Sequence, residues 1–205
     1  MIDLSVENDV WVVTLNRPEK ANSLTGSMLQ TLLDIAERAG GQGARAFVIT
    51  ATGKVFSAGA DLIEAQAGLA TSPVWDQLSE AIARLPCLTI AVLNGTLAGG
   101  AMGMALACDM RIAVPGAKLF YPVMRLGFLP QPGDVPRLVR LIGPARASMI
   151  LMAGQKIAAE EALAWGLIDR VVAVDDLLPS ARALVADAIA ATPDHARAIK
   201  AMIWG

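Results

Sequence analysis

Residues 88–108 read LTIAVLNGTLAGGAMGMALAC and contain no charged side chain. The run Leu88–Leu93 is apolar or β-branched, an Asn-Gly turn follows it, and a glycine pair then opens a run of small apolar residues. The uncharged stretch is long enough for a membrane helix, but Pro86 and the internal glycines interrupt it. The pattern instead predicts a buried strand, a glycine turn and a buried helix.

The elements on both sides of this stretch alternate between strands and helices as far as about residue 121. Thr25 is a candidate N-cap for the first helix, which the Gly40-Gly41 pair is expected to end. From about residue 122 onward the pattern is mostly helical. We expect strands at 2–7, 10–15, 46–50, 88–93, 110–114, 118–121 and 170–174, and helices at 25–40, from about 60, 72–86, 100–107, 137–142, 145–153, 159–165 and 176–191.

This order of elements predicts an α/β fold. We expect a single domain over residues 1–205, with a strand–helix core at about 1–121 and a mostly helical C-terminal part at about 122–205. Neither an internal repeat nor a low-complexity linker divides the sequence.

The composition excludes several classes of protein. Hydrophobic residues make up 55% of the 205 residues and charged residues 18%, fewer charges than the roughly 25% of a typical soluble domain. This composition excludes a disordered chain, and the net charge of −2 gives no basic surface for nucleic acid. The low charge also predicts that a partner, most simply another copy of the chain, covers some apolar surface.

Metal-binding and secretory signals are weak in this sequence. Cys87 and Cys108 form neither a C-x-x-C motif nor a disulfide framework. His195 is the only histidine, so we expect no metal site. Residues 1–7 hold two acids and no basic residue, which is unlike a signal peptide. We therefore predict a cytoplasmic protein without a membrane segment.

Residues 55–62, VFSAGADL, combine a strand, a glycine turn and a helix start. Backbone N–H groups at a helix start lack intrahelical acceptors and favour negative charge. Gly59 would let the backbone turn and approach a ligand closely. The same letters also fit an ordinary strand-to-helix turn in which Asp61 only caps the helix.

Residues 94–103, NGTLAGGAMG, repeat this arrangement after the buried strand. Their glycine spacing resembles a degraded dinucleotide fingerprint, but no acid ends the next strand as that motif requires. No G-x-S-x-G or phosphate-binding G-x-x-x-x-G-K-[ST] motif occurs. A further interpretation is that the two helix starts each donate one N–H group to a single developing oxyanion.

Taken together, these segments resemble the crotonase superfamily, the enoyl-CoA hydratase/isomerase family. The resemblance runs in order through nearly the whole chain. The segments that carry it are NRPEKANSL at 16–24, FSAGADL at 56–62, VLNG at 92–95, AGGA at 98–101, ACDMRIA at 107–113, GPARA at 143–147 and AEEALAWGLIDRVV at 159–172.

The resemblance implies a spiral of ββα units with a helical C-terminal layer, assembled as a homotrimer or hexamer. It implies an acyl-CoA thioester as ligand, with coenzyme A as part of the substrate and no permanently bound cofactor. Ala60 and Gly100 would donate their N–H groups to the thioester oxygen. The CoA pocket would be lined by Lys20, Ala21, Ser57, Ala58 and Leu62.

Two departures from the family pattern concern the acid/base residues. The positions of the two hydratase glutamates hold Gly103 and Val123, and an aspartate position of related isomerases holds Gln131. None of these three residues transfers protons. Asp134 lies in the expected loop and is the favoured substitute, although it could instead be a turn aspartate beside Gly133. The remaining ionisable candidates are Glu64, which we expect at the surface, Tyr121 and Arg125.

Two functional hypotheses follow. The first is an acyl-CoA enzyme that stabilises a thioester enolate at Ala60 and Gly100, with isomerase chemistry favoured over hydration. The second is a catalytically silent acyl-CoA binder or accessory subunit, which the missing glutamates favour. The resemblance also implies a short variant, because family members commonly continue with further C-terminal helices.

Overall fold

Ten strands and nine α-helices form within residues 1–204, the part of the chain that the computed structural model describes. The strands are β1 Ile2–Glu7, β2 Val10–Leu15, β3 Ala46–Ala51, β4 Val55–Ser57, β5 Leu88–Leu93, β6 Thr96–Ala98, β7 Met110–Ala113, β8 Lys118–Phe120, β9 Ile157–Ala158 and β10 Arg170–Val171. The helices are α1 Gly26–Gly41, α2 Leu62–Gln66, α3 Val74–Ala83, α4 Met102–Ala107, α5 Val123–Leu126, α6 Asp134–Leu151, α7 Ala159–Trp165, α8 Leu177–Ala190 and α9 Pro193–Trp204.

The larger sheet has the strand order β1-β2-β3-β5-β7-β10, in which only β1 and β2 pair antiparallel. All six residues of β3 are buried because both faces of the sheet are covered. Phe47 and Ile49 belong to the main core, whereas Ala46 and Val48 face a second cluster that α8 completes. This double coverage explains the unbroken apolar runs of the central strands.

The smaller sheet has the order β4-β6-β8-β9 and carries the glycine turns. Each of three consecutive ββα units, β3-β4-α2, β5-β6-α4 and β7-β8-α5, adds one strand to each sheet. The chain therefore follows the predicted spiral of ββα units, and the α/β fold class is confirmed. Strands β4 and β6 pair in parallel, so their carboxyl ends and the turns that follow lie at one edge of the sheet.

The first half of the chain contains the predicted elements and one strand that the sequence did not indicate. Thr25 caps α1, since its Oγ1 accepts a hydrogen bond from the Met28 N–H at 3.2 Å. The segment between Asn94 and Gly100 was predicted as a single glycine turn, which is wrong because Thr96–Ala98 pairs with its neighbours as β6.

The C-terminal part differs from prediction in detail, since the strand expected at 170–174 is confined to Arg170–Val171. The two helices expected at 137–142 and 145–153 are present as the two halves of α6, separated by a break at Gly143, where φ is 76° and ψ is 165°. Within residues 1–204, no helix is both long and apolar enough to cross a bilayer. Gly205, the last residue of the predicted domain, lies outside the described residues, and the single-domain boundary stays a prediction.

Candidate active site

The two glycine turns touch each other. Gly59 has φ of 93°, which favours glycine, and a Cβ atom there would lie 3.0 Å from the Ala98 carbonyl oxygen and 3.5 Å from the Gly100 nitrogen. A side chain at this position would therefore push the two turns apart. The close approach brings the start of α2 beside the turn that leads into α4.

The N–H group of Ala60 points away from the neighbouring segment, which contains Leu24. Leu24 donates its N–H to the Gly59 carbonyl and accepts from the Asp61 N–H, both at 2.8 Å. These two hydrogen bonds use the Gly59 carbonyl and the Asp61 N–H, so the N–H and carbonyl groups of Ala60 itself point away from Leu24. Gly100 lies in the 3-10 turn that precedes α4, where an N–H group has no acceptor within the helix.

Ala60 and Gly100 line one cavity of about 300 Å³, here called the glycine-turn cavity. Its wall is mostly apolar, and among the described residues that line it Tyr121 alone has an ionisable side chain. Trp75 and the loop before α6 contribute walls that the sequence did not predict. The lining residues are Ala58, Ala60, Leu62, Ala65, Gln66, Ala70, Trp75, Gly99, Gly100, Tyr121, Pro122, Val123, Leu126, Phe128, Leu129 and Gln131.

Asp61 caps α2 instead of entering the cavity. Its Oδ1 accepts hydrogen bonds from the N–H groups of Ile63 and Glu64, and its Oδ2 accepts from Arg17 Nη1 at 2.9 Å. The bond from Arg17 is the main reason why the pKa of Asp61 lies below its ordinary value. The capping interpretation of this aspartate is therefore confirmed.

The residues predicted for the CoA pocket lie together, although only two of them line the cavity. The Ala58 N–H donates to the Ala21 carbonyl at 3.0 Å, and Ser57 Oγ donates to the Asn22 carbonyl at 2.8 Å. Lys20 is exposed beside them. Ala58 and Leu62 line the glycine-turn cavity, and Leu62 is 80% exposed at its rim.

Asn22 is a buried residue whose structural role no sequence motif indicates. Its Nδ2 donates to the carbonyls of Thr52 and Val55 at 2.8 and 2.7 Å, and its Oδ1 accepts from the Arg17 N–H. These bonds hold the 16–24 segment against the strand that leads to the first glycine turn. An asparagine is a turn signal in the sequence and Asn22 has a positive φ, but the two carbonyls to which its side chain donates lie 30 residues or more away.

Asp134 is buried behind the cavity wall and is not a solvated turn aspartate. It is 1% exposed and begins α6. Its Oδ2 accepts a hydrogen bond from the Tyr121 hydroxyl at 3.0 Å, whereas its Oδ1 has no partner among the described residues. Burial raises the pKa of Asp134 to about 7 and the Asp76 charge adds to this, while Tyr121 and Arg137 oppose it.

The carboxyl group of Asp134 lies against Gly103 on α4. A Cβ atom at position 103 would come within 2.6 Å of Asp134 Oδ1 and 2.7 Å of Ser79 Oγ. Position 103 is where the resemblance places a hydratase glutamate. The glycine there therefore leaves room for a carboxyl group that reaches the same region from α6.

We expect Gly103→Ala to destabilise the fold by about 1–3 kcal/mol, because the new methyl group overlaps Asp134 and Ser79. The loss should be smaller when Asp134→Ala is present as well, with a coupling of about 0.5–3 kcal/mol in a double-mutant cycle. Urea unfolding measures all four free energies. Gly41→Ala is the control, since its methyl group would meet nothing within 4 Å. Additive effects at 103 and 134 would contradict the packing argument.

The raised pKa of Asp134 predicts a pH-dependent stability. The carboxyl binds its proton up to about pH 7 when folded but only to about its ordinary 3.8 when unfolded. The contribution of Asp134 to the free energy of unfolding is therefore greatest below pH 3.8. It falls as the pH rises to 7, by up to about 1.4 kcal/mol per pH unit. Urea unfolding should show this fall flattened in Asp134→Asn and retained in the control Asp175→Asn, which replaces an exposed carboxylate. An unchanged slope in Asp134→Asn would refute this assignment.

Of the other candidate acids and bases, Tyr121 lines the cavity, whereas Glu64 and Arg125 do not. Glu64 was expected at the surface, which is wrong in part: it is half-buried, and its Oε2 accepts from the Gly26 N–H at 2.7 Å. That contact stabilises the start of α1. Arg125 is exposed. Val123 and Gln131 line the cavity, and neither side chain transfers protons.

Comparison with known proteins adds independent evidence. The family model for enoyl-CoA hydratase/isomerase matches residues 5–204. YngF of Bacillus subtilis (strain 168), named for that same family, is 38% identical and covers 96% of this chain and 78% of its own length. A trans-2-decenoyl-acyl-carrier-protein isomerase of Streptococcus mutans is 30% identical, covering 98% of this chain and 80% of its own.

Solved structures show the same fold. The enoyl-CoA hydratase of Bacillus anthracis superposes with a TM-score of 0.90 at 33% identity, covering 98% of this chain and 81% of that chain. An enoyl-CoA hydratase/isomerase of Pseudoalteromonas atlantica superposes with a TM-score of 0.91 at 29% identity, covering 98% and 82%. The chain thus belongs to the enoyl-CoA hydratase/isomerase family of the crotonase superfamily.

Proposed function

We propose that this protein moves a carbon–carbon double bond along the acyl chain of a CoA thioester. The observation that carries the proposal is the buried Tyr121–Asp134 pair, in which Tyr121 lines the glycine-turn cavity and Asp134 lies behind it. At the two positions where the resemblance places the hydratase glutamates, the chain has Gly103 and Val123, which cannot transfer protons. One acid/base pair therefore serves the site.

The proposed site divides the chemistry between backbone and side chains. The N–H groups of Ala60 and Gly100 hold the thioester oxygen and stabilise the enolate that forms when a proton leaves the α carbon. The same acid/base pair then returns a proton to the γ carbon. Hydration instead needs a base to activate water and an acid to protonate the α carbon, and each typically contributes about 10²–10⁴-fold.

The CoA moiety is proposed to lie along Lys20, Ala21, Ser57 and Ala58, with the exposed Leu62 at the cavity rim. Hydrogen bonds between these two segments support this placement. We further propose that coenzyme A enters only as part of the substrate and that the protein acts in the cytoplasm as a homotrimer or hexamer. Strongly exposed apolar side chains such as Ile63, Leu129 and Met202 support an assembly that covers part of this surface.

A second candidate function is a silent acyl-CoA binder or accessory subunit. It is supported by the burial of Asp134, which does not itself line the cavity. It is also supported by the apolar cavity wall, which suits an acyl chain and does not require catalysis. Under this proposal the protein binds thioesters with its two glycine turns but turns none of them over.

A pair of assays on one protein sample separates these functions. We expect measurable conversion of a short 3-enoyl-CoA to its 2-enoyl isomer, and hydration of the short 2-enoyl-CoA slower by about 10²-fold or more, because a second acid/base is missing. The absorbance of the conjugated thioester reports both reactions. Efficient hydration would refute the proposed isomerase, and binding of saturated acyl-CoA without turnover of either substrate would favour the silent binder.

A further inference from the structure

Tyr121 lies between the glycine-turn cavity and the Asp134 carboxyl group. It lines the cavity, and its hydroxyl donates to Asp134 Oδ2 at 3.0 Å. Asp134 is 1% exposed and is not among the residues that line the cavity. A thioester bound in the cavity would therefore contact the tyrosine and not the aspartate.

We propose that Tyr121 is the catalytic residue that exchanges a proton with the acyl chain, and that Asp134 acts through it as a positioning and proton-accepting partner. This inference rests on the proposed isomerase function, and it assigns the contact with substrate to a residue outside both glutamate positions.

The proposed reaction is a balanced 1,3-proton shift. The α C–H bond of a 3-enoyl thioester breaks, its electron pair enters the dienolate held by the Ala60 and Gly100 N–H groups, and its proton goes to Tyr121 Oη. The hydroxyl proton of Tyr121 moves at the same time to Asp134 Oδ2. In the second half Tyr121 gives a proton to the γ carbon and takes one back from Asp134. Only the position of the double bond changes.

The surroundings of the pair suit a relay in which the phenol stays protonated. Burial and the neighbouring Asp134 charge raise the pKa of Tyr121 far above its ordinary value. Forming a free phenolate at Tyr121 is therefore costly, whereas a proton transfer that is concerted with Asp134 avoids this state. The charged groups that act on the carboxyl are Asp76 on α3 and Arg137 on α6, and Arg137 is itself paired with Glu80 on α3.

Tyr121→Phe removes the hydroxyl and keeps the ring in the cavity wall. We expect kcat for isomerisation to fall about 10²–10⁴-fold at every pH, with the affinity for a saturated acyl-CoA unchanged. Combining it with Asp134→Asn should cost little more than either change alone, because two members of one relay act as a unit.

The pH profile separates a relay from a purely supporting role. Wild-type kcat should rise with pH through about 7 as Asp134 ionises. The Tyr121 hydrogen bond lowers the Asp134 pKa, so a merely supporting tyrosine would leave Tyr121→Phe with a midpoint at higher pH and an intact plateau. Recovery of the wild-type plateau would overturn the inference while leaving the isomerase function standing.

An isosteric probe covers the case in which Tyr121→Phe fails to fold. The chain has one tyrosine, so biosynthetic 3-fluorotyrosine labels this site alone and makes its phenol more acidic. We expect kcat to change and the fluorine resonance to shift when saturated acyl-CoA binds. Bound acyl-CoA with no fluorine shift and unchanged kcat would overturn the inference. A wild-type protein that isomerises nothing would overturn the proposed function and the inference with it.

Discussion

Asp134→Asn is expected to lower the rate of 3-enoyl-CoA isomerisation by about 10²–10⁴-fold, the usual contribution of one acid/base group. The amide keeps the size of the carboxyl and an oxygen that can accept from the Tyr121 hydroxyl, but it cannot take up a proton. Because Asp134 lies behind the cavity wall, the affinity for a saturated acyl-CoA should be unchanged. Steady-state kinetics and calorimetric titration measure the two quantities.

The control for this prediction is Asp76→Asn, which removes a neighbouring charge and leaves the relay intact. The Asp76 charge helps to raise the Asp134 pKa, so the control should shift the midpoint of the pH profile downward and keep the plateau. Asp76 Oδ1 also accepts from the Gly133 N–H at 3.0 Å, a bond that an asparagine oxygen can replace. An Asp134→Asn variant that isomerises at the wild-type rate would remove Asp134 from the mechanism.

The features that the sequence predicted well are those that the backbone itself requires. Gly59 and Gly99 have positive φ values in tightly packed turns, and such requirements are visible as glycines. The buried strands were predictable from their apolar runs, because both faces of β3 and β5 are covered. Strand β6 was missed because its three residues lie between two turn signals and pair only with distant segments.

The proposed acid/base pair depends on tertiary contacts that no local sequence pattern encodes. Asp134 was a candidate because of its loop, but its burial and its bond to Tyr121 depend on how α6 packs against α3 and α4. Gly103 first indicated only a missing glutamate, whereas its neighbours show that it makes room for Asp134. The position of Glu64 also depends on a tertiary contact, because its side chain binds the start of α1, 38 residues away.

Gly100→Pro is expected to lower kcat/KM for isomerisation by about 10²–10³-fold, the usual effect of losing one oxyanion donor. Proline has no N–H group, and the first turn of a helix is a position where its ring is tolerated. Gly100 lies in such a turn, beside Gly59 and at the wall of the glycine-turn cavity. The loss should appear mainly in kcat, since the negative charge on the thioester oxygen develops only in the transition state.

Gly100→Ala is the matched control, because it retains the N–H group and adds only a Cβ atom. That atom would lie 3.2 Å from the Trp75 ring, whose Nε1 donates to the Leu69 carbonyl. A small shift of the indole would relieve the contact, so we expect a smaller loss of activity in Gly100→Ala than in Gly100→Pro. Circular dichroism and tryptophan fluorescence establish that both variants are folded. Equal activities in two folded variants would show that the Gly100 N–H does not stabilise the enolate, and the backbone site would then have to rest on Ala60 alone.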